Sequence, residues 1–155
     1  MEVKFSEEDK IYMKEALKEA RIAFEEDEVP VGAVIVDPEG KIIGRGRNQI
    51  IKLNDPTAHA EILAIKDACK NLGNYRLIKC KMYVTLEPCP MCAYAMVLAR
   101  VEEVIIATTD EKTGACGSIY NIVRDTRLNH QIKIKKGLFK EEAQKLLKDF
   151  FKSKR

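Results

Sequence analysis

KMYVTLEPCPMCAYAMVLARVEEVIIAT, residues 81–108, sets the architecture. KMYVTL reads as a strand, residues 89–99 as a helix whose start is fixed by Pro88 and Pro90, and VEEVIIAT as a second strand. Outward from this stretch the hydrophobic period keeps switching between strand and helix spacing. Upstream, Ser6 caps a helix running to about Asp27, with Met13, Ala16, Leu17, Ala20, Ala23 and Phe24 recurring at threes and fours and Asp9 at the capping-box position. VGAVIVD, the turn PEG and KIIGRGRNQI follow as a β-hairpin, the continuous apolar run predicting a strand covered on both faces. Residues 58–72 form a helix. Downstream of residue 108 come a glycine-rich loop, KTGACGS, a short helix near 118–125, a strand at QIKIKK and a last helix from Lys140. Helices alternating with strands predict a layered α/β domain rather than a bundle or a β-sandwich.

The 155 residues, 46% hydrophobic and 33% charged, suit one domain over 1–155 with a core that needs no staples. VGAVIV and YAMVLA are far shorter than a membrane span, and MEVKFSEEDK lacks the basic-then-apolar order of a secretory signal, so a cytoplasmic protein without membrane association is expected. Five cysteines, an odd number, argue against a disulfide framework and for buried, reactive or metal-bound thiols. The net charge of +3 is uneven: residues 131–155 carry nine Lys/Arg against three Asp/Glu. Such a tail is either a solvated helix face or a nucleic-acid footprint.

The chemistry lies where two helices begin. Asp55, Pro56 and Thr57 precede the helix of residues 58–72 and put His59 and Glu61 in its first turn. Side chains two apart point roughly 200° apart around a helix and share no lateral face, but helical side chains lean towards the N-terminus and can converge beyond it. Cys89 and Cys92, three apart, do share a face. One histidine and two thiolates make three ligands, the number that leaves a tetrahedral zinc an open position, and Glu61 is then the base that moves protons. A CxxC alone is also compatible with a redox pair or half a structural zinc site, but neither gives a role to the HAE triplet. His130 reads as a surface or RNA-facing residue, and Cys69, Cys80 and Cys116 as small buried apolar ones.

HAE at 59–61 with TLEPCPMC at 85–92 resembles the zinc-dependent cytidine-deaminase superfamily. EVPVGAVIV, NDPTAHAEILAI, NYRLI, YVTLEPCPMCA, DEKTGACGS, Asn129–His130 and LLKDFFK, in that order, are similar to bacterial tRNA-specific adenosine deaminases over essentially the whole chain. The resemblance implies a three-layer α/β/α sandwich around a five-stranded mixed sheet, a homodimer, and one Zn2+ per chain on His59, Cys89 and Cys92, with Glu61 as proton shuttle. It further implies that Asn48 hydrogen-bonds the purine beside Val31 and the backbone of Ala60, and that the wobble adenosine of a tRNA anticodon stem-loop becomes inosine. By the same resemblance, Arg76, Asp110, Lys112, Asn129 and Phe150 contact loop nucleotides, and Lys152, Lys154 and Arg155 lie near phosphates. Pro90 gives a PCPMC form shared with deaminases of free guanine or cytosine, which stand as the alternative enzymes. A non-catalytic zinc-binding module is the alternative from another class.

Overall fold

The computed structural model describes residues 4–154, so Arg155 and the first three residues of the N-terminal stretch lie outside it. Helix α1 (Glu7–Glu25) opens on a reciprocal cap: Ser6 Oγ accepts the Asp9 N–H at 3.0 Å, and the Asp9 carboxylate accepts the Ser6 N–H at 3.1 Å. Strands β1 (Gly32–Val36) and β2 (Ile42–Arg47) form the hairpin, and α2 (Ala60–Leu72) follows. Strand β3 (Lys81–Leu86), helix α3 (Pro90–Leu98) and strand β4 (Glu103–Thr108) form the strand–helix–strand unit. After a 3-10 turn at Ile122–Arg124 come β5 (Lys133–Lys136) and α4 (Lys140–Ser153).

The five strands lie in the order β2-β1-β3-β4-β5. β1 is antiparallel to both neighbours, whereas β3, β4 and β5 run parallel, so the sheet is mixed. One face packs against α1 and α4 through Met13, Leu17, Val34, Tyr83, Ile105 and Ala143; the other packs against α2 and α3 through Ala64, Ala68, Ile35, Val84, Met96 and Ile106. That is the three-layer α/β/α sandwich, and β1, enclosed by both layers, is buried at all five positions.

Strand β2 sorts its residues sharply. Gly44 and Gly46 face α2 so closely that a Cβ on Gly46 would lie 2.1 Å from the Ala60 carbonyl oxygen, and one on Gly44 would lie 2.4 Å from that of Ala64. Arg45 and Arg47 point the other way and pair with Glu15, Glu19 and Glu26 of α1 and its end. The absent side chains let the first turn of α2 sit directly on the sheet.

Several boundaries differ from those expected. α2 begins at Ala60 and α3 at Pro90, with His59 and Cys89 extended at the N-cap positions. The helix expected near 118–125 shrinks to one 3-10 turn because Gly117 has φ +125° and a Cys116–Asn121 bridge closes the preceding loop. β5 starts two residues late because the Ile132 backbone N–H is spent on the Val123 carbonyl, and pairing towards β4 begins with the Lys133 N–H on the Glu102 carbonyl. Among the described residues, no helix is long and apolar enough to cross a membrane.

Candidate active site

The sheet presents the N-termini of α2 and α3 to one point. N-cap positions normally hold a Ser, Thr, Asp or Asn whose oxygen satisfies a helix N–H. His59 and Cys89 make no such cap bond, which leaves their side chains available for other partners. His59 Nδ1 lies 3.7 Å from Cys89 Sγ and 3.5 Å from Cys92 Sγ, and the three ligand atoms are all within 4.8 Å of one another. Zinc–sulfur and zinc–nitrogen bonds of about 2.3 and 2.0 Å at tetrahedral angles place nitrogen and sulfur about 3.5 Å apart, so the cluster fits that ion. Among the described residues this is a group of three, and Glu61 is not one of them.

The cluster's own electrostatics suit a cation. Cys89 is held down to about 4, first by the hydrogen bond from Cys92 and then by His59, against the opposing effect of burial. Cys92 is pushed far up because it keeps the shared proton and is buried, and His59 is raised chiefly by its bond to Cys89. A divalent ion displaces those shared protons and converts both thiols to thiolates. Glu61, 4% exposed, is raised to about 7, with burial the largest cause and Cys89 adding to it, while its own backbone N–H, His59 and Cys92 oppose. Burial thus favours the protonated form of this carboxyl beside the ligand set, as suits a group that holds and passes on a proton.

Asn48 follows β2 directly and is 8% exposed. Its N–H donates to the Val31 carbonyl at 3.2 Å, and its Oδ1 accepts the Ala60 N–H at 2.8 Å. An N–H donor can face only the oxygen of the amide, so the orientation of Asn48 is fixed, with Nδ2 on the opposite side as a donor for a ligand. Val31 and Ala60 are both buried against this position.

Residues 6–108 match the sequence model of the cytidine and deoxycytidylate deaminase zinc-binding region. The chain belongs to that deaminase family. It is 51% identical over 144 residues to a tRNA-specific adenosine deaminase of Aquifex aeolicus, covering 93% of this chain and 94% of that one. A solved structure from work on A-to-I editing by tRNA:A34 deaminases at the wobble position superposes with a TM-score of 0.85 at 43% identity, covering 88% of this chain and 99% of the other. The structure of a guanine deaminase from Bacillus subtilis gives a TM-score of 0.61 at 42% identity, covering 68% and 66%. The deaminase is thus a zinc enzyme, and its cofactor matches the donor set just described.

Around this centre the remaining candidate residues of the deaminase divide. Thr109 to Thr113, including Asp110 and Lys112, line a groove of about 510 Å³ with Val29, Leu86, Leu147 and Phe151. The Asp110 carboxylate is occupied within its own turn, accepting from the N–H groups of Lys112 and Thr113 and from the Thr113 hydroxyl, whereas Lys112 is exposed. Phe150 is not a surface residue: it is 6% exposed and packs edge-on against Phe24 at 5.9 Å between centroids. The exposed ring of the tail is Phe151, beside an exposed Lys152.

Arg76 and Asn129 are not brought to this centre. Arg76 follows the C-terminal end of α2, roughly 18 Å along the helix from its first turn, and leans over the Tyr75 ring. Asn129 lines a cleft with Tyr94, Leu98 and Arg100 at the C-terminal end of α3. His130 is half-buried, with Nε2 2.6 Å from the Val101 carbonyl oxygen, and has no place in the ligand set. Cys80 and Cys116 are buried, whereas Cys69 is only partly so. Sequence reasoning passed over Glu87, 2% exposed and two residues before Cys89; the signal was a lone charge between an apolar strand and a proline.

Proposed function

We propose that the protein deaminates adenosine to inosine at the wobble position of a tRNA anticodon loop. The observation that carries the substrate assignment is the 51% identity to a tRNA-specific enzyme along nearly the full length of both chains. His59, Cys89 and Cys92 hold the zinc, which when bound makes water a competent nucleophile near neutral pH. Glu61 takes a proton from the attacking water and delivers it to N1 of the adenine ring. It then carries the second proton to the departing amine, so that adenosine and water leave as inosine and ammonia. Asn48 Nδ2 donates to the purine edge, while Val31 and Ala60 form the apolar wall. A base inside a helical stem cannot reach this recessed point, which favours an adenosine splayed from a single-stranded loop.

The protein acts as a homodimer. Met91, Tyr94 and Leu98 form one exposed apolar stripe along α3, with Ile119 and Tyr120 also exposed in the loop after β4. Arg76 and Asn129, remote from their own chain's centre, then serve the site of the second copy. The test is to incubate the protein with an anticodon stem-loop bearing adenosine at the wobble position, and separately with free guanine. Inosine in the stem-loop supports the assignment. Xanthine from guanine with the RNA unchanged replaces it with the free-base reading.

A further inference from the structure

Glu87 ends the run TLE between β3 and the cysteine pair, and its carboxylate meets only donors. Oε1 accepts from the Asp110 N–H at 3.1 Å and the Ser118 hydroxyl at 2.5 Å; Oε2 accepts from the N–H groups of Cys116 at 2.9 Å and Ser118 at 3.1 Å. All four donors belong to one loop, residues 109–118, and none is a lysine or arginine. The chain on either side is tied as well: the Glu87 N–H donates to the Thr108 carbonyl, and the Ala115 N–H donates to that of Pro88. Gly114 closes over the carboxylate, where a Cβ would lie 2.5 Å from both the Asp110 oxygen and the Glu87 carboxyl carbon. The outer limb of the same loop, Thr109–Thr113, forms one wall of the groove that also holds Phe151.

We propose that Glu87 is a positioning residue for substrate recognition, holding the 109–118 loop in its binding shape before the nucleic acid arrives. This rests on the RNA reading given above. A loop that is already ordered adds no ordering cost to binding, so the contribution of Glu87 falls on substrate affinity rather than on the proton transfers of Glu61. Four bonds from one buried carboxylate organise ten residues of chain that contain no helix or strand of their own. A residue serving only to stabilise the fold would affect the β3–α3 unit and the metal along with the loop.

Glu87→Gln keeps the size of the side chain but turns one oxygen into an NH2 group facing two of the four donors. The expected result is a rise of about ten-fold or more in KM for the stem-loop, with kcat within about three-fold and one zinc retained per chain. Amide hydrogen exchange is expected to accelerate in residues 110–118 by about ten-fold or more while β3 and α3 keep their protection. Ser118→Ala, which removes one of the four bonds, gives the same pattern at smaller size and decides the matter if Glu87→Gln fails to fold. Unchanged exchange in the loop overturns the proposal, as does acceleration spread through β3 and α3 with loss of zinc. A fall in kcat with KM unaltered also overturns it. If the wild-type protein neither binds nor edits the stem-loop, the RNA reading fails, and the exchange measurement alone decides the role of Glu87.

Discussion

The backbone N–H of Ala60 donates to Oδ1 of Asn48 at 2.8 Å, joining the residue after β2 to the first residue of α2. One amide thus completes a helix start and aims its own NH2 group at the ligand side. Asn48→Asp retains the acceptor and loses the donor. We expect it to fold and hold zinc while kcat/KM falls by about 10²-fold or more, in line with removing one directed donor from a reacting site. Asn48→Ala loses both functions and leaves a buried N–H unpaired, so it should also melt earlier, by about 1 to 3 kcal/mol. Kinetics and thermal melting of the two variants side by side check this; equal activity in wild type and Asn48→Asp removes Asn48 from substrate binding.

Gly46 places α2 on the sheet, and the helix start carries His59. A methyl group on Gly46 meets the Ala60 carbonyl at 2.1 Å, a contact that only movement of the helix relieves. Gly46→Ala should therefore lose about 1 to 3 kcal/mol of stability and bind zinc more weakly. Gly73→Ala is the control: it adds a methyl group to open space at φ +71°, so it should cost about 1 kcal/mol and leave zinc affinity unaltered. Zinc titration with a competing chelator separates the two.

Spacing made the HAE and PCxxC elements legible, because each keeps its own functional residues within one helix turn, although the two motifs meet across 30 residues of chain. The continuous apolar run of β1 was legible for a similar reason. Gly44 and Gly46 were not, since their role is a contact with a helix more than a dozen residues on. Glu87 was harder still: three of its four donors are backbone N–H groups 23 to 31 residues downstream, which no side-chain pattern announces, and the fourth is the hydroxyl of Ser118. Phe150 and Phe151 are neighbours about 100° apart on α4, so one faces Phe24 and the other faces solvent. Sequence period leaves that choice open when a basic, amphipathic helix ends in two aromatics.

The two phenylalanines should separate by experiment. Phe150→Ala removes a packed ring and should lower stability by about 3 kcal/mol. Phe151→Ala should leave the melting temperature nearly unchanged and weaken stem-loop binding by about 1 to 3 kcal/mol, the scale of one stacked base. Lys152→Ala should reduce affinity while flattening its dependence on salt. Binding isotherms at two salt concentrations, with melting curves, test all three. Tight binding by Phe151→Ala combined with early melting would place its ring in the core instead.

Asp9 gives a pH signature remote from the active centre. Burial works to raise its pKa, but the Tyr83 hydroxyl at 2.7 Å, the Ser6 N–H and Lys135 hold it below the ordinary 3.8. A depressed carboxyl stabilises the fold above its unfolded value, and that contribution is lost as pH falls through the folded one. Asp9→Asn should therefore be less stable than wild type by about 1 to 3 kcal/mol at pH 7, with the gap narrowing as the pH is taken below 3.8. Denaturant melts from pH 7 to pH 3 check the sign; a gap that widens towards acid contradicts it.

The most direct test of the account is the mass of an anticodon stem-loop with adenosine at the wobble position, after incubation with zinc-loaded wild type and with zinc-loaded Glu61→Ala. The account predicts that wild type exchanges one amine for an oxo group at the wobble base alone. Glu61→Ala, with its metal retained, should leave the RNA unchanged. Substantial conversion by Glu61→Ala, or an unmodified wobble adenosine with the zinc-loaded wild type, would contradict it.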